Sequence, residues 1–115
     1  MSIAVALDEL RSEIAKRGDA AFLVTTNGTG SHIVSVRVTW DGDTITAGAG
    51  STTSKNVGER PVVSLLWPST FDDYSLIVDG SASIDADVVR IAPTRAVLHR
   101  SVAASGDGPG CITVV

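Results

Sequence analysis

The chain has 115 residues, 43% apolar and 19% charged, with a net charge of −4; that suits one folded domain and is too apolar for a disordered chain. The acidic balance excludes nucleic acid and anionic membrane as the main partner, because no basic excess exists to release counterions. The single cysteine, Cys111, forbids an intrachain disulfide or a cysteine-based zinc site, and no apolar run approaches the length of a membrane span.

Met1-Ser2-Ile3-Ala4 lacks the basic flank and apolar run of a secretion signal, so a reducing cytoplasm is the expected compartment. Ile3, Leu7, Leu10 and Ile14 recur at spacings of four, three and four, which predicts an amphipathic helix. Ser2 would cap it and Gly18 would end it.

From Ala20 the pattern changes to short strands punctuated by turns. Ala20–Thr26 is the first strand, closed by Asn27-Gly28-Thr29-Gly30. Ser31–Trp40 alternates strictly, with His32, Val34, Val36, Val38 and Trp40 on one face and Ser31, Ile33, Ser35, Arg37 and Thr39 on the other. Asp41-Gly42-Asp43 is a hairpin signal leading to a third strand, Thr44–Ala49. A hydroxyl-rich loop with a short helix follows over Ser51–Arg60, stopped by Pro61. Val62–Trp67 reads as a continuous apolar strand and Tyr74–Ile84 as a long one with a bulge or close approach at Gly80. Val88–Arg100 is a strand pair or one strand broken at Pro93. A domain over residues 1–100 and a flexible Gly- and Ser-rich tail over 101–115 are expected, with Cys111 an idle thiol in that tail. About six antiparallel strands with one early helix predict a mainly β barrel, since the connections are too short for parallel crossovers.

The richest stretch for chemistry is Ala47-Gly48-Ala49-Gly50-Ser51-Thr52-Thr53-Ser54-Lys55-Asn56. Small residues allow close approach, four hydroxyls offer short donors, a helix start favours an anion and Lys55 adds a point charge. It is not a Walker A loop, which requires Gly-Lys-Ser/Thr at its end. A solvated loop whose hydroxyl caps a short helix is the alternative reading of the same residues. Arg37 is a second candidate anion ligand, with an exposed surface arginine as its alternative. His32 and His99 have no partner cluster, so no metal site is expected.

The order of these segments resembles the pyridoxamine 5′-phosphate oxidase-like split-barrel family. The resemblance runs through Ala21-Phe22-Leu23-Val24-Thr25-Thr26 and Ser31-His32-Ile33-Val34-Ser35-Val36, then the hairpin Trp40-Asp41-Gly42-Asp43-Thr44-Ile45. Thr53-Ser54-Lys55-Asn56-Val57 stands where the family has its Ser-Arg-Lys phosphate-binding stretch, with Ser54 in place of the arginine. Val62-Val63-Ser64-Leu65-Leu66-Trp67 and Leu76-Ile77-Val78-Asp79-Gly80-Ser81-Ala82 continue it.

The resemblance implies an FMN-binding type of six-stranded antiparallel split barrel that forms a homodimer and holds FMN, or alternatively a deazaflavin, between two subunits. It implies phosphate binding by Lys55 with Thr53 and Ser54 beside it. Val34, Ser35, Val36, Arg37 and Val38 would line the ring and ribityl chain, with Ala49, Gly50 and Ser51 opposite. Tyr74 and Ser75 fall where the second subunit contributes, with Trp67 nearby, for which a core position at the end of its apolar strand is the alternative. The implied activity is a flavin- or deazaflavin-dependent oxidoreductase acting on a small molecule. A non-catalytic flavin-binding or sensing dimer, and a cofactor-free barrel used for protein association, are the alternatives.

Overall fold

Runs of alternating or continuous apolar residues, cut by Gly- and Asp-containing turns, fold into an almost entirely antiparallel structure. The computed structural model describes residues Ser2–Ser101; the rest of the expected tail, Cys111 included, lies outside the described residues. The strands are β1 (Ser2–Val5), β2 (Ala20–Thr26), β3 (Ser31–Arg37), β4 (Thr39–Asp41), β5 (Thr44–Gly48), β6 (Val62–Trp67), β7 (Tyr74–Asp85) and β8 (Val88–Arg100). A 3-10 turn, Leu7–Glu9, runs into helix α1 (Leu10–Arg17), and α2 spans Ser51–Glu59.

The strands form one sheet in the order β3-β2-β6-β7-β8-β5-β4, with β1 added to β8. Every ladder is antiparallel. The inward residues Leu23, Ile45, Leu65, Leu76, Val78, Val89 and Ile91 are completely buried and form the core. The sheet curls around this core until β3 lies beside β5, yet no ladder joins them among the described residues. This is a mainly β split barrel with an N-terminal helix, as expected.

Two local expectations are corrected. The predicted helix from Ser2 starts only at Leu7, and Ser2–Val5 is a strand whose Ile3 pairs with Leu98. Ile3 and Leu7 are about half exposed, while Leu10 and Ile14 are buried; their helical spacing was coincidental, and pairing with β8 decided the conformation. The predicted strand Ser31–Trp40 is two strands. Val38 leaves the ladder, its N–H donating to the Asp19 carbonyl at 2.8 Å, and the chain turns there from pairing with β2 to pairing with β5. These changes raise the strand count from about six to eight.

Helix α1 closes one end of the barrel. Gly18 ends it with φ of 95°, a conformation that glycine adopts without strain. The Trp67 indole N–H donates to the Gly18 carbonyl at 3.0 Å, tying the helix end to β6. β8 is a single strand, and it passes Pro93 by means of a bulge. Asp79 pairs with Arg95 and Gly80 with Pro93, so Thr94 is the extra residue, and its hydroxyl donates to the Asp79 carbonyl.

At that bulge the expected close approach is present. A Cβ on Gly80 would lie 2.6 Å from Ile91 Cγ2 and 2.8 Å from the Ala92 carbonyl oxygen. Gly80→Ala should therefore destabilise the fold by about 1–3 kcal/mol, because backbone cannot yield as a side chain can. Chemical denaturation checks this, and unchanged stability would mean that the β7–β8 hairpin relaxes freely.

Candidate functional site

The seam between β3 and β5 is covered at one end by α2. The helix starts at Gly50, whose carbonyl accepts the first helical hydrogen bond from the Ser54 N–H at 2.9 Å. The amides of Ser51, Thr52 and Thr53 therefore have no intrahelical acceptor. No side chain caps them, and the first turn carries no acidic residue. The alternative reading of the hydroxyls as helix caps is not what the structure adopts.

Packing holds α2 in place. Val57 is buried in the core, and the buried Asn56 donates from Nδ2 to Thr25 Oγ1 on β2 at 3.0 Å. That bond satisfies a polar pair in an apolar setting and fixes the helix against the sheet. One turn earlier, Thr53 is also buried.

Two clefts meet at the start of α2 and share Ser51 and Thr52. The first, about 280 Å³, follows the seam between β3 (His32, Val34, Ser35, Val36) and Gly48, Gly50 and Thr53. The second, about 490 Å³, lies between α2 and the Asn27–Gly30 turn, with Lys55 and Glu59 on its helical wall. Asn27 Oδ1 organises that turn, accepting from the backbone N–H groups of Thr29 and Gly30 at 2.7 and 2.9 Å. Lys55 is exposed, and no ion pair engages it among the described residues. Both clefts have mixed walls, the first with Val34, Val36 and two glycines among hydroxyls, the second with Lys55, Asn27 and Glu59. An anion at the exposed amides would lie where they join.

Seven of the residues singled out from the sequence are gathered here: Val34, Ser35, Val36, Gly50, Ser51, Thr53 and Lys55. Ser54 and Ala49 are half-buried beside them. The others lie elsewhere in the single chain. Arg37 is exposed and pairs with Asp19 at 3.0 Å. Val38 is in the core, and Trp67, 1% exposed, is fully engaged with the end of α1. His32, Thr52, Glu59 and the Asn27–Thr29 turn line the clefts but were not singled out as cofactor ligands. The turn was visible as a turn, and nothing in the sequence placed it against a helix.

Tyr74 and Ser75 open β7 after the 68–73 loop, half-buried. Their position is set by Arg17, whose side chain is 1% exposed. Arg17 donates to the Tyr74 carbonyl at 3.0 Å and pairs with Asp72 at 3.1 Å, with Phe71 over its guanidinium. Asp72 in turn accepts the Tyr74 N–H at 2.9 Å. That backbone bond, with help from Arg17, holds the Asp72 carboxyl below the usual carboxylate range.

No protein-family model matches the chain. It is 43% identical over 75 residues to uncharacterised proteins of Mycobacterium bovis and Mycobacterium tuberculosis, a match covering 55% of this chain and 51% of each relative. The chain thus spans about half the length of the curated relatives it matches. Its fold is that of several solved structures. A candidate pyridoxamine 5′-phosphate oxidase of Listeria innocua superposes with a TM-score of 0.68 at 18% identity, covering 84% of this chain and 100% of that one. A FAD-binding protein of Mycobacterium smegmatis gives 0.63 at 21% identity, covering 87% and 100%. An F420 reductase gives 0.60 at 14%, covering 74% and 94%. The architecture is therefore the split barrel of the pyridoxamine 5′-phosphate oxidase-like proteins, and the proteins that share it include binders of flavin-type cofactors.

The lowered pKa of Asp72 makes a pH prediction. Its contribution to stability is fully present above the unfolded carboxylate pKa of about 4 and is lost as pH falls through the lower folded value. Wild type should exceed Asp72→Asn in thermal stability at neutral pH, and the gap should close on acidification. A gap that stays constant with pH would show that Asp72 does not contribute through its charge.

Proposed function

We propose that the chain binds a flavin-type cofactor in the two clefts, with its phosphate on the first-turn amides of α2 and on Lys55. It uses that cofactor as an oxidoreductase on a small molecule. The observation that carries this is the uncapped start of α2 at the junction of two clefts, one of them holding Val34, Val36 and two glycines and the other Lys55. Free amides at the positive end of a helix attract an anion, and Val34 and Val36 beside Gly48 and Gly50 suit a flat ring. The cofactor would supply the hydride chemistry; the chain's residues bind and orient it and exclude water.

FMN is the first reading. A deazaflavin of the F420 kind, attached through a phosphodiester, is the second, and the charge of the site favours it. A phosphate monoester carries nearly two negative charges at neutral pH and a diester one. Lys55 is the one cation lining the clefts among the described residues, and Glu59 on the same wall is paired with Arg60 at 3.6 Å. A diester also has a second substituent, for which the second cleft provides room.

The proposal includes a homodimer. Phe22, Leu66 and Ile77 stand in register across three neighbouring strands on the outer face of the sheet, and the stripe ends at Val97, already buried within the chain. Phe22 is 40% exposed and the adjoining Ile33 60%. An apolar stripe of this kind calls for a covering surface, and a second copy carries the same stripe. Phe22→Asp should convert the dimer to monomer in sedimentation velocity; an unchanged species distribution would move the interface elsewhere.

Parallel titrations with FMN, FAD and F420, read by fluorescence, test the cofactor. Lys55→Ala should weaken the bound one by about 1.5–3 kcal/mol, or one to two decades in Kd. An unchanged Kd would remove Lys55 from the site. Nicotinamide-, deazaflavin- and oxygen-dependent turnover assays on the loaded protein distinguish an enzyme from a storage or sensing protein.

A further inference from the structure

Opposite the start of α2 stand the first residues of β3. His32 pairs across the ladder with Thr25, so the two side chains share the inward face. Thr25 accepts the Asn56 hydrogen bond, which sets α2 against that same face. His32 is half-buried and lines the seam cleft together with Ser51, Thr52 and Thr53. β3 begins directly after the Asn27–Gly30 turn that walls the second cleft. His32 therefore stands where the two clefts join.

A buried hydroxyl points to a ligand at the same place. Three polar residues are buried among the described ones: Thr25, Thr53 and Asn56. Thr25 and Asn56 satisfy each other. Thr53, 3% exposed and lining the cleft, has no side-chain hydrogen bond among the described residues. A buried polar group left without a partner is uncommon and calls for one. An anion seated on the α2 amides would accept from the Thr53 hydroxyl.

We propose that His32, when protonated, is a further ligand of that anion, so that the affinity for the cofactor's phosphate falls as pH rises. This rests on the cofactor reading above and adds its regulation. Histidine is the side chain whose charge ordinarily changes between pH 5 and 8. No ion pair engages His32 among the described residues. The elements around it offer little to compensate an imidazolium: β2, β5 and the Asn27–Gly30 turn carry no charged residue. Arg37, at the far end of β3, is paired with Asp19. On α2 the charged groups are Lys55 and Glu59, which line the second cleft, and Glu59 is paired with Arg60. The counter-ion of a protonated His32 is then the bound anion, and a charge-assisted hydrogen bond forms only in that state. By linkage, binding the cofactor takes up a proton.

The test titrates FMN, FAD and F420 against wild type and His32→Gln at about pH 5.5 and pH 8.5, on either side of the histidine range. The ratio of the two proteins' Kd values is the readout, so that titration of the ligand itself cancels. The variant should bind about tenfold more weakly at the lower pH, the equivalent of one charge-assisted contact, and within about twofold of wild type at the higher. His32→Lys, whose charge persists, should bind more tightly than His32→Gln at both, with the circular dichroism spectra unchanged. A ratio that does not change with pH, or a lysine variant no tighter than the glutamine one, overturns this proposal and leaves the cofactor reading standing. Failure of all three probes to bind wild type at either pH overturns both.

Discussion

The structure depends on a sheet that bends far enough to bring β3 beside β5 and stops short of pairing them. At Val38 the chain gives up its ladder, donating to the Asp19 carbonyl, and turns into β4. A barrel closed at that seam would consume its edges in hydrogen bonds and leave no room between the strands. Because the seam stays open, its walls are the inward side chains of β3 on one side and the small residues leading into α2 on the other. The split is at once an incompletely closed core and the place where the proposed cofactor would sit.

Helix α2 turns that gap into a site with polarity. Its start is set beside the seam by Val57 in the core and by the buried Asn56–Thr25 bond, while Gly50 at its cap contributes no side chain. The chain as a whole is acidic, yet the first turn of α2 holds no carboxylate and Lys55 follows it. A local positive potential within a negative surface favours small anions over polyanions. The outer face of the barrel carries a different surface, the stripe from Phe22 to Ile77, and one end of the molecule is closed by α1. There the Trp67–Gly18 bond and the Arg17–Asp72 pair fix the helix and the 68–73 loop.

Much of this was legible in the residues. β2 and β6 have the limits read from the sequence, because alternation or a continuous apolar run met a turn signal at each end. Gly80 marked a close approach because a glycine inside a long strand has few other uses. The hydroxyl run with Lys55 singled out, by residue type alone, a stretch that lines both clefts. The failures have physical causes. Four residues at the amino terminus are too few to separate helical from extended periodicity, and β8 supplied the backbone partners that decided β1. An unbroken alternation from Ser31 to Trp40 cannot reveal that its two halves pair with different strands.

What the sequence by itself determined was the kind of structure and the functional groups on offer: short antiparallel strands, one helix packing on them through Leu10 and Ile14, and a stretch whose residue types suit phosphate. Those follow from local periodicity and from the functional groups themselves. Only the tertiary structure decided which of those groups meet. It drew the Asn27–Gly30 turn and His32 up to α2, sent Arg37 to Asp19, and buried Trp67 against Gly18. Such meetings join residues far apart in the chain, and they are set by how the sheet curls around its core, a global packing outcome that no local pattern encodes.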